Sequence, residues 1–158
     1  MNRTQSATLN YYALFTTHYA LSTKRLIMHE TQIRVRYKEC DQMGVVHHTN
    51  YPVYFELART EMLRDMGGSY RRMEESGKFF VVVSLACKFH KPAKYDDVLT
   101  VKTSIGKVTR IKLELLYEIW RQDDLIATGS TVLATIDSAN KVIALPEDVI
   151  EQLQLKQE

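Results

Sequence analysis

Cysteine is nearly missing from this 158-residue chain: Cys40 and Cys87 are the only two, and no Cys-x-x-Cys pair occurs. That removes a disulfide framework and a zinc-thiolate signature, and it fits a reducing compartment. No apolar run approaches the roughly 18 residues that a membrane span needs. No glycine-rich phosphate loop is present, which argues against a buried nucleotide. Excess charge is missing too: 21 Lys and Arg stand against 19 Asp and Glu, a formal net charge of +2. That is too small to point to nucleic acid. What remains is 45% apolar and 25% charged residues, the balance of an ordinary globular domain, in a length that suits one core and not two.

Acidic residues are absent from positions 1–29, which carry Arg3, Lys24 and Arg25 among many Thr, Ser and Tyr. An acid-poor, hydroxyl-rich start suits an organelle transit peptide. A secretory signal fits less well, because Leu14-Phe15-Thr16-Thr17-His18-Tyr19 is broken by polar residues. The plainer reading makes residues 1–28 an extension upstream of a true start at Met28, with the domain at 29–158. The expected location is then cytoplasmic.

Ile33, Val35 and Tyr37 alternate with Arg34, Arg36 and Lys38, the period of a strand with one wet face. Tyr51, Phe55, Ala58, Met62 and Met66 then recur at helical spacing. Thr49 or Asn50 can cap that helix, Pro52 suits its first turn, and Gly67-Gly68 stops it. Ser69 to Gly77 reads as a second short helix or turn. Phe79 to Phe89 is apolar enough for a strand buried on both faces. Lys91–Asp97 reads as a loop, followed by strands at Val98–Val108, Ile111–Arg121 and Leu125–Asp137 that continue as a meander. Pro146 opens a short C-terminal helix. One long helix serving five strands predicts an α+β fold, with the helix across the concave face of an antiparallel sheet. The apolar edge at Phe79–Phe89 needs cover, which dimerisation that continues the sheet would supply.

Chemistry concentrates in Tyr37-Lys38-Glu39-Cys40-Asp41-Gln42-Met43-Gly44-Val45-Val46-His47-His48-Thr49-Asn50-Tyr51. A loop feeding a helix N-terminus presents unpaired N–H groups and a positive dipole end. Asp41 is ionised at neutral pH without special tuning, although an Asp in such a loop is more commonly a turn former. Glu39 reads as solvated, Tyr37 as half core, Ser84 as core filler and Glu56–Arg59 as a structural pair. Cys40 adjoins Asp41 without a relay that would make it a nucleophile.

The pattern Tyr-x-x-x-Asp-x-x-Gly-Val-Val-x-His-x-x-Tyr, followed by Phe55-Glu56-Leu57-Ala58-Arg59-Thr60-Glu61-Met62-Leu63, resembles the hotdog-fold acyl-CoA thioesterases. More narrowly it is similar to the 4-hydroxybenzoyl-CoA thioesterase family and its Tol–Pal-associated branch. The resemblance implies a single hotdog domain, with a five-stranded antiparallel sheet wrapped around one long helix and a short C-terminal helix. It implies Asp41 as nucleophile or general base, the His48 N–H as donor to the thioester carbonyl, and Tyr37 as a pocket tyrosine. Gly44, Val46, His47 and Thr49 would contact substrate. Arg110, at a strand–strand turn, would face the phosphates of CoA, with Lys91 and Lys94 as weaker choices. It implies CoA as part of the substrate, with no separate cofactor and no metal, in a homodimer or homotetramer. His47 and Met43 depart from the pattern and bear on acyl preference. Two rivals are a hotdog hydroxyacyl-thioester dehydratase, whose Phe-Pro-Gly-type segment is missing here, and a non-catalytic acyl-thioester sensor or scaffold.

Overall fold

The computed structural model describes residues 28–147 and 149–151. The expectations for the extension before Met28 and for helix beyond residue 151 lie outside the described residues. Strand β1 (Met28–Arg34) has its odd positions half-buried and its even ones exposed. The alternation predicts strand through Tyr37. Instead β1 ends at Arg34, and Tyr37–Glu39 winds into a single 3-10 turn. The Glu39 carboxylate causes the departure: it accepts the Arg36 backbone N–H at 2.7 Å and pulls the chain round.

Helix α1 (Asn50–Asp65) carries the predicted face inward. Tyr51, Phe55, Ala58 and Met62 are buried, as are Tyr54 and Leu63. Each large apolar side chain taken from water this way contributes roughly 1.5–3 kcal/mol before chain entropy is subtracted. The helix ends as Gly67-Gly68 predicts. Gly68 N–H donates to Leu63 O at 2.8 Å and Gly67 N–H to Arg64 O at 2.8 Å, the paired bonds of a Schellman stop. Short helix α2 (Tyr70–Glu75) follows, with the Ser69 hydroxyl accepting from the Arg72 N–H.

Strands β2 (Lys78–Phe89), β3 (Val98–Val108), β4 (Lys112–Arg121) and β5 (Asp124–Asp137) match the predicted spans to within a residue or so. A two-residue strand β6 (Val142–Ile143) adds to β5 and is too short to leave a sequence pattern. The sheet order is β1-β3-β4-β5-β2, all antiparallel. Only β3, β4 and β5 therefore form a meander, and β2 crosses to the far edge beside β5. That edge position corrects the expectation that β2 is buried on both faces: Val82, Val83, Leu85 and Phe89 are exposed in the single chain. Ser84 is exposed as well, beside a bulge between Val82 and Ser84, and fills no core. The chain's last described turn is helical, with the Ile150 N–H donating to Pro146 O at 3.0 Å.

The core lies between α1 and the sheet. Phe55 stacks on Tyr117 with ring centroids 4.4 Å apart, and the Tyr117 hydroxyl meets Thr131 Oγ1 at 2.7 Å. A β-carbon on Gly129 would fall 2.5 Å from the Phe55 ring and 2.7 Å from Ala86 O. Glycine at 129 is what lets the helix sit this close to the sheet.

Among the described residues one ionised side chain is buried, and it joins the loop to the helix. Glu39 is 3% exposed. Its Oε1 accepts from the Arg36 guanidinium at 2.5 and 2.8 Å, and its Oε2 accepts the Tyr54 hydroxyl at 2.8 Å. The reading of Glu39 as solvated is therefore corrected. Burial is the largest single influence on its acidity and pushes the carboxyl up. The Arg36 N–H, the Arg36 guanidinium and the Tyr54 hydroxyl together outweigh burial and hold it below the usual carboxylate range. Burial raises the Tyr54 hydroxyl far above its ordinary value, with the Glu39 hydrogen bond and charge adding to it, so Tyr54 stays a donor.

Two expected outcomes follow from this packing. Gly129→Ala destabilises by about 2 kcal/mol, read as a fall in Tm of roughly 5 °C, because the buried Phe55 has nowhere to move. Glu39→Gln loses about 2 kcal/mol at pH 7 in denaturant unfolding. A carboxyl depressed in the folded state contributes stability above its unfolded pKa of about 4.3 and loses it as pH falls through the folded value. The gap between wild type and Glu39→Gln therefore closes in titrations carried below about pH 4.

Candidate active site

The loop between β1 and α1 folds back on itself as a closed hairpin. Cys40 and Val46 form an isolated antiparallel bridge. Asp41 N–H donates to Val45 O at 2.9 Å, and Gly44 N–H to Asp41 O at 2.9 Å. Gly44 makes the turn possible with a φ of +74°. A β-carbon there would meet nothing, so glycine is chosen for its backbone and not for space.

Asp41 stands on the first arm, half-buried. Its Oδ1 accepts the Met43 N–H at 2.8 Å, an Asx-type contact that fixes the carboxylate against its own turn. Oδ2 has no hydrogen-bond partner among the described residues. One oxygen orients the group, and the other is left without a partner among the described residues.

The second arm leads into the helix, and its N–H groups are nearly all spent. Val46 donates to Ala93 O at 2.8 Å, His47 to Glu39 O at 2.9 Å and Asn50 to His47 O at 3.0 Å. Thr49 N–H donates to His47 Nδ1 at 3.4 Å. Among the described residues the His48 N–H has no acceptor. It lies just ahead of α1, where the helix dipole favours an oxygen gaining negative charge.

Thr49 stands at the N-cap position, with a helical backbone and no capping bond from its side chain. The His47 ring packs beside it, with Nδ1 also 2.8 Å from Thr49 Oγ1. Asn50 instead ties the tip backwards, donating Nδ2 to Glu39 O at 2.9 Å. The His47 and His48 rings lie 4.2 Å apart and tilted. His48 is exposed, and its ring makes no hydrogen bond to Asp41. The hairpin brings the two arms together without joining these side chains directly.

The remaining expected residues scatter. Val46 buries its side chain in the core. Tyr37 is 80% exposed, which corrects its reading as half core, and it packs edge-on against Tyr95 at 5.5 Å. Lys91 is already engaged by Asp124. Arg110 lies on the β3–β4 turn, where its carbonyl accepts the Leu145 N–H at 2.8 Å. The pairing of Arg34 with Val98 puts the Asp41 loop at the opposite end of β3, roughly 30 Å away at about 3.3 Å per residue. Cys87 offers no nucleophile, since burial pushes its thiol up to about 11. The residue that sequence reasoning missed is Glu39. Arg36-x-x-Glu39 with Tyr54 one turn into the helix was the available signal, but the pairing shows only once the loop closes.

Comparison with known proteins gives the family. Residues 43–128 match the Thioesterase superfamily. The acyl-CoA thioesterase YbgC of Haemophilus influenzae is 33% identical over 119 residues, covering 74% of this chain and 88% of that protein. The structure of DHNA-CoA thioesterase from Staphylococcus aureus superposes with a TM-score of 0.79 at 35% identity, over 82% of this chain and 91% of that one. A hypothetical protein from Thermus thermophilus, TT1821, superposes with a TM-score of 0.77 at 38% identity, over 80% of this chain and 98% of that one. A family match over more than half of the residues, joined by relatives that align over most of their own length, means that this chain belongs to the thioesterase superfamily.

Proposed function

We propose that this protein hydrolyses acyl-CoA thioesters to the free acid and CoA. The observation that carries the reading is the closed hairpin, with a carboxylate oxygen on one arm and an N–H at the helix tip beyond the other, neither with a partner among the described residues. A thioester carbonyl seated at the His48 N–H has its developing negative charge met by that donor and by the positive end of α1. Asp41 then acts on the carbonyl carbon by one of two routes. As a nucleophile it forms a mixed anhydride and expels the CoA thiolate, which takes up a proton, and water then cleaves the anhydride. As a general base it takes the proton of a water that attacks directly, the C–S bond breaks, and the CoA thiolate leaves and takes up a proton. Both routes need the same carboxylate and the same donor.

In this reading Gly44, His47 and Thr49 frame the acyl carbonyl, and Tyr37 with Tyr95 forms an aromatic rim beside it. The histidine at 48 supports membership of the Tol–Pal-associated branch of the 4-hydroxybenzoyl-CoA thioesterase family. The work is assigned to the cytoplasm. CoA enters as substrate, and no further cofactor is called on. Arg110 is too far from its own Asp41 to hold that site's nucleotide, so its role requires another subunit. A homodimer paired along β2, whose exposed Val82, Val83 and Leu85 want cover, is the assembly we assign, with a tetramer as its further association.

Wild type and Asp41→Ala should be compared on short aliphatic, hydroxybenzoyl and naphthoyl thioesters of CoA. Wild type turns over at least one, and Asp41→Ala loses about 10³-fold or more in kcat at unchanged Tm. Tight binding of the whole panel with no turnover by wild type would make the protein a thioester-binding module instead. The assembly has its own check. Wild type sediments as a dimer or larger, and Val83→Lys with Leu85→Lys gives a monomer that has lost turnover. A wild type that sediments as an active monomer would overturn the β2 pairing.

A further inference from the structure

Glu39 is the one charged side chain among the described residues that is buried, and it sits two positions before Asp41. Its place is unusual because its two ends hold different things. The carboxylate grips the Arg36 backbone and guanidinium where β1 ends, and the Tyr54 hydroxyl inside α1. The backbone carbonyl of the same residue accepts the His47 N–H at 2.9 Å and Asn50 Nδ2 at 2.9 Å. His47 and Asn50 flank His48. One residue thus holds α1 at its tip and again one turn along, which fixes the angle of the helix as well as its distance.

We propose that Glu39 is a positioning residue for the thioester reaction, setting the separation between the Asp41 carboxylate and the His48 N–H by pinning the Cys40–Val46 hairpin to the first turn of α1. The inference rests on the functional reading above. Stability alone gives little reason for a charge here, since a well-packed apolar substitute for a buried ion pair commonly does as well or better. Registry does give a reason. Attack on a carbonyl demands that donor and attacking group be held to a fraction of an ångström, and a displacement of about 1 Å costs on the order of 10²-fold in rate.

The test uses the full chain and the variants Glu39→Ala, Glu39→Gln and Tyr54→Phe, assayed well below their Tm so that folded molecules are compared. Glu39→Ala lowers kcat by about 10²-fold with KM within about twofold of wild type. Glu39→Gln, which keeps an acceptor for the Arg36 N–H, recovers part of that loss. Tyr54→Phe, which keeps the ring and gives up one grip, falls between them. Amide hydrogen exchange supplies a readout that needs no substrate. The Asp41 and His47 amides exchange at least about tenfold faster in Glu39→Ala, while core amides such as Leu115 follow global stability alone. Should Glu39→Ala fail to fold, the other two variants carry both measurements. Unchanged kcat per folded molecule, or unchanged protection at Asp41 and His47, overturns the proposal and leaves Glu39 a stabilising residue only. Faster exchange in Glu39→Ala, alongside a wild type that hydrolyses no acyl-CoA, would instead remove the thioesterase reading and leave the pinning intact.

Discussion

A buried carboxylate between a guanidinium and a phenol is the constraint on which the site end of this molecule depends. Glu39 pays for its desolvation with four hydrogen bonds, from the Arg36 N–H, from two guanidinium nitrogens and from Tyr54. Those bonds come from two separate pieces of chain: Arg36 at the start of the 3-10 turn and Tyr54 in the helix. Any slack in one would leave a charge in low dielectric without full compensation, which is expensive. The loop is consequently held in one arrangement by the cost of every other.

That local rigidity is useful only because the rest of the fold gives it something fixed to lean on. Helix α1 is clamped to the sheet by rings stacked without intervening space, Phe55 on Tyr117 and Tyr51 edge-on to Phe89 at 5.0 Å. Gly129 removes the side chain that would have held the helix away. Backbone bonds from Val35 to Asp97 O and from Asp96 to Val35 O, with Val46 to Ala93 O, stitch the β1–α1 loop to the β2–β3 loop. The Asp41 hairpin is therefore framed on one side by α1 and on the other by a second loop, and the sheet sets the distance between them.

The helix face, the three meander strands and the Gly67-Gly68 stop were legible because each depends on periodicity or on a single residue's backbone preference. The pairing of β2 with β5 was not, since an apolar run states that a strand wants cover and not which neighbour provides it. The Asp41 loop could be located from its spacing, but the closing bonds that shape it are backbone bonds and have no residue signature. Tyr37 misled for a related reason. Its place in an apolar alternation suggested a half-buried strand residue, and the turn enforced by Glu39 two positions later swung it outward. Glu39 itself looked like any charged loop residue until Arg36 and Tyr54 were brought to it by folding.

The two ends of the sheet carry different parts of one proposed task. Asp41 and the His48 N–H lie where β1 stops and β3 starts, whereas Arg110 lies where β3 stops. In the proposed dimer, antiparallel pairing of two β2 edges would run the two sheets in opposite senses, so that the Asp41 end of one subunit would lie toward the Arg110 end of the other. The same pairing would cover Val82, Val83 and Leu85, apolar residues that a lone chain leaves in water. A single geometric operation thus answers two separate difficulties, an unpaired apolar edge and a cation stranded far from its own chain's carboxylate. On the proposed reading, the chemistry of attack belongs wholly to one chain, while recognition of a long, multiply charged substrate is spread over the assembly.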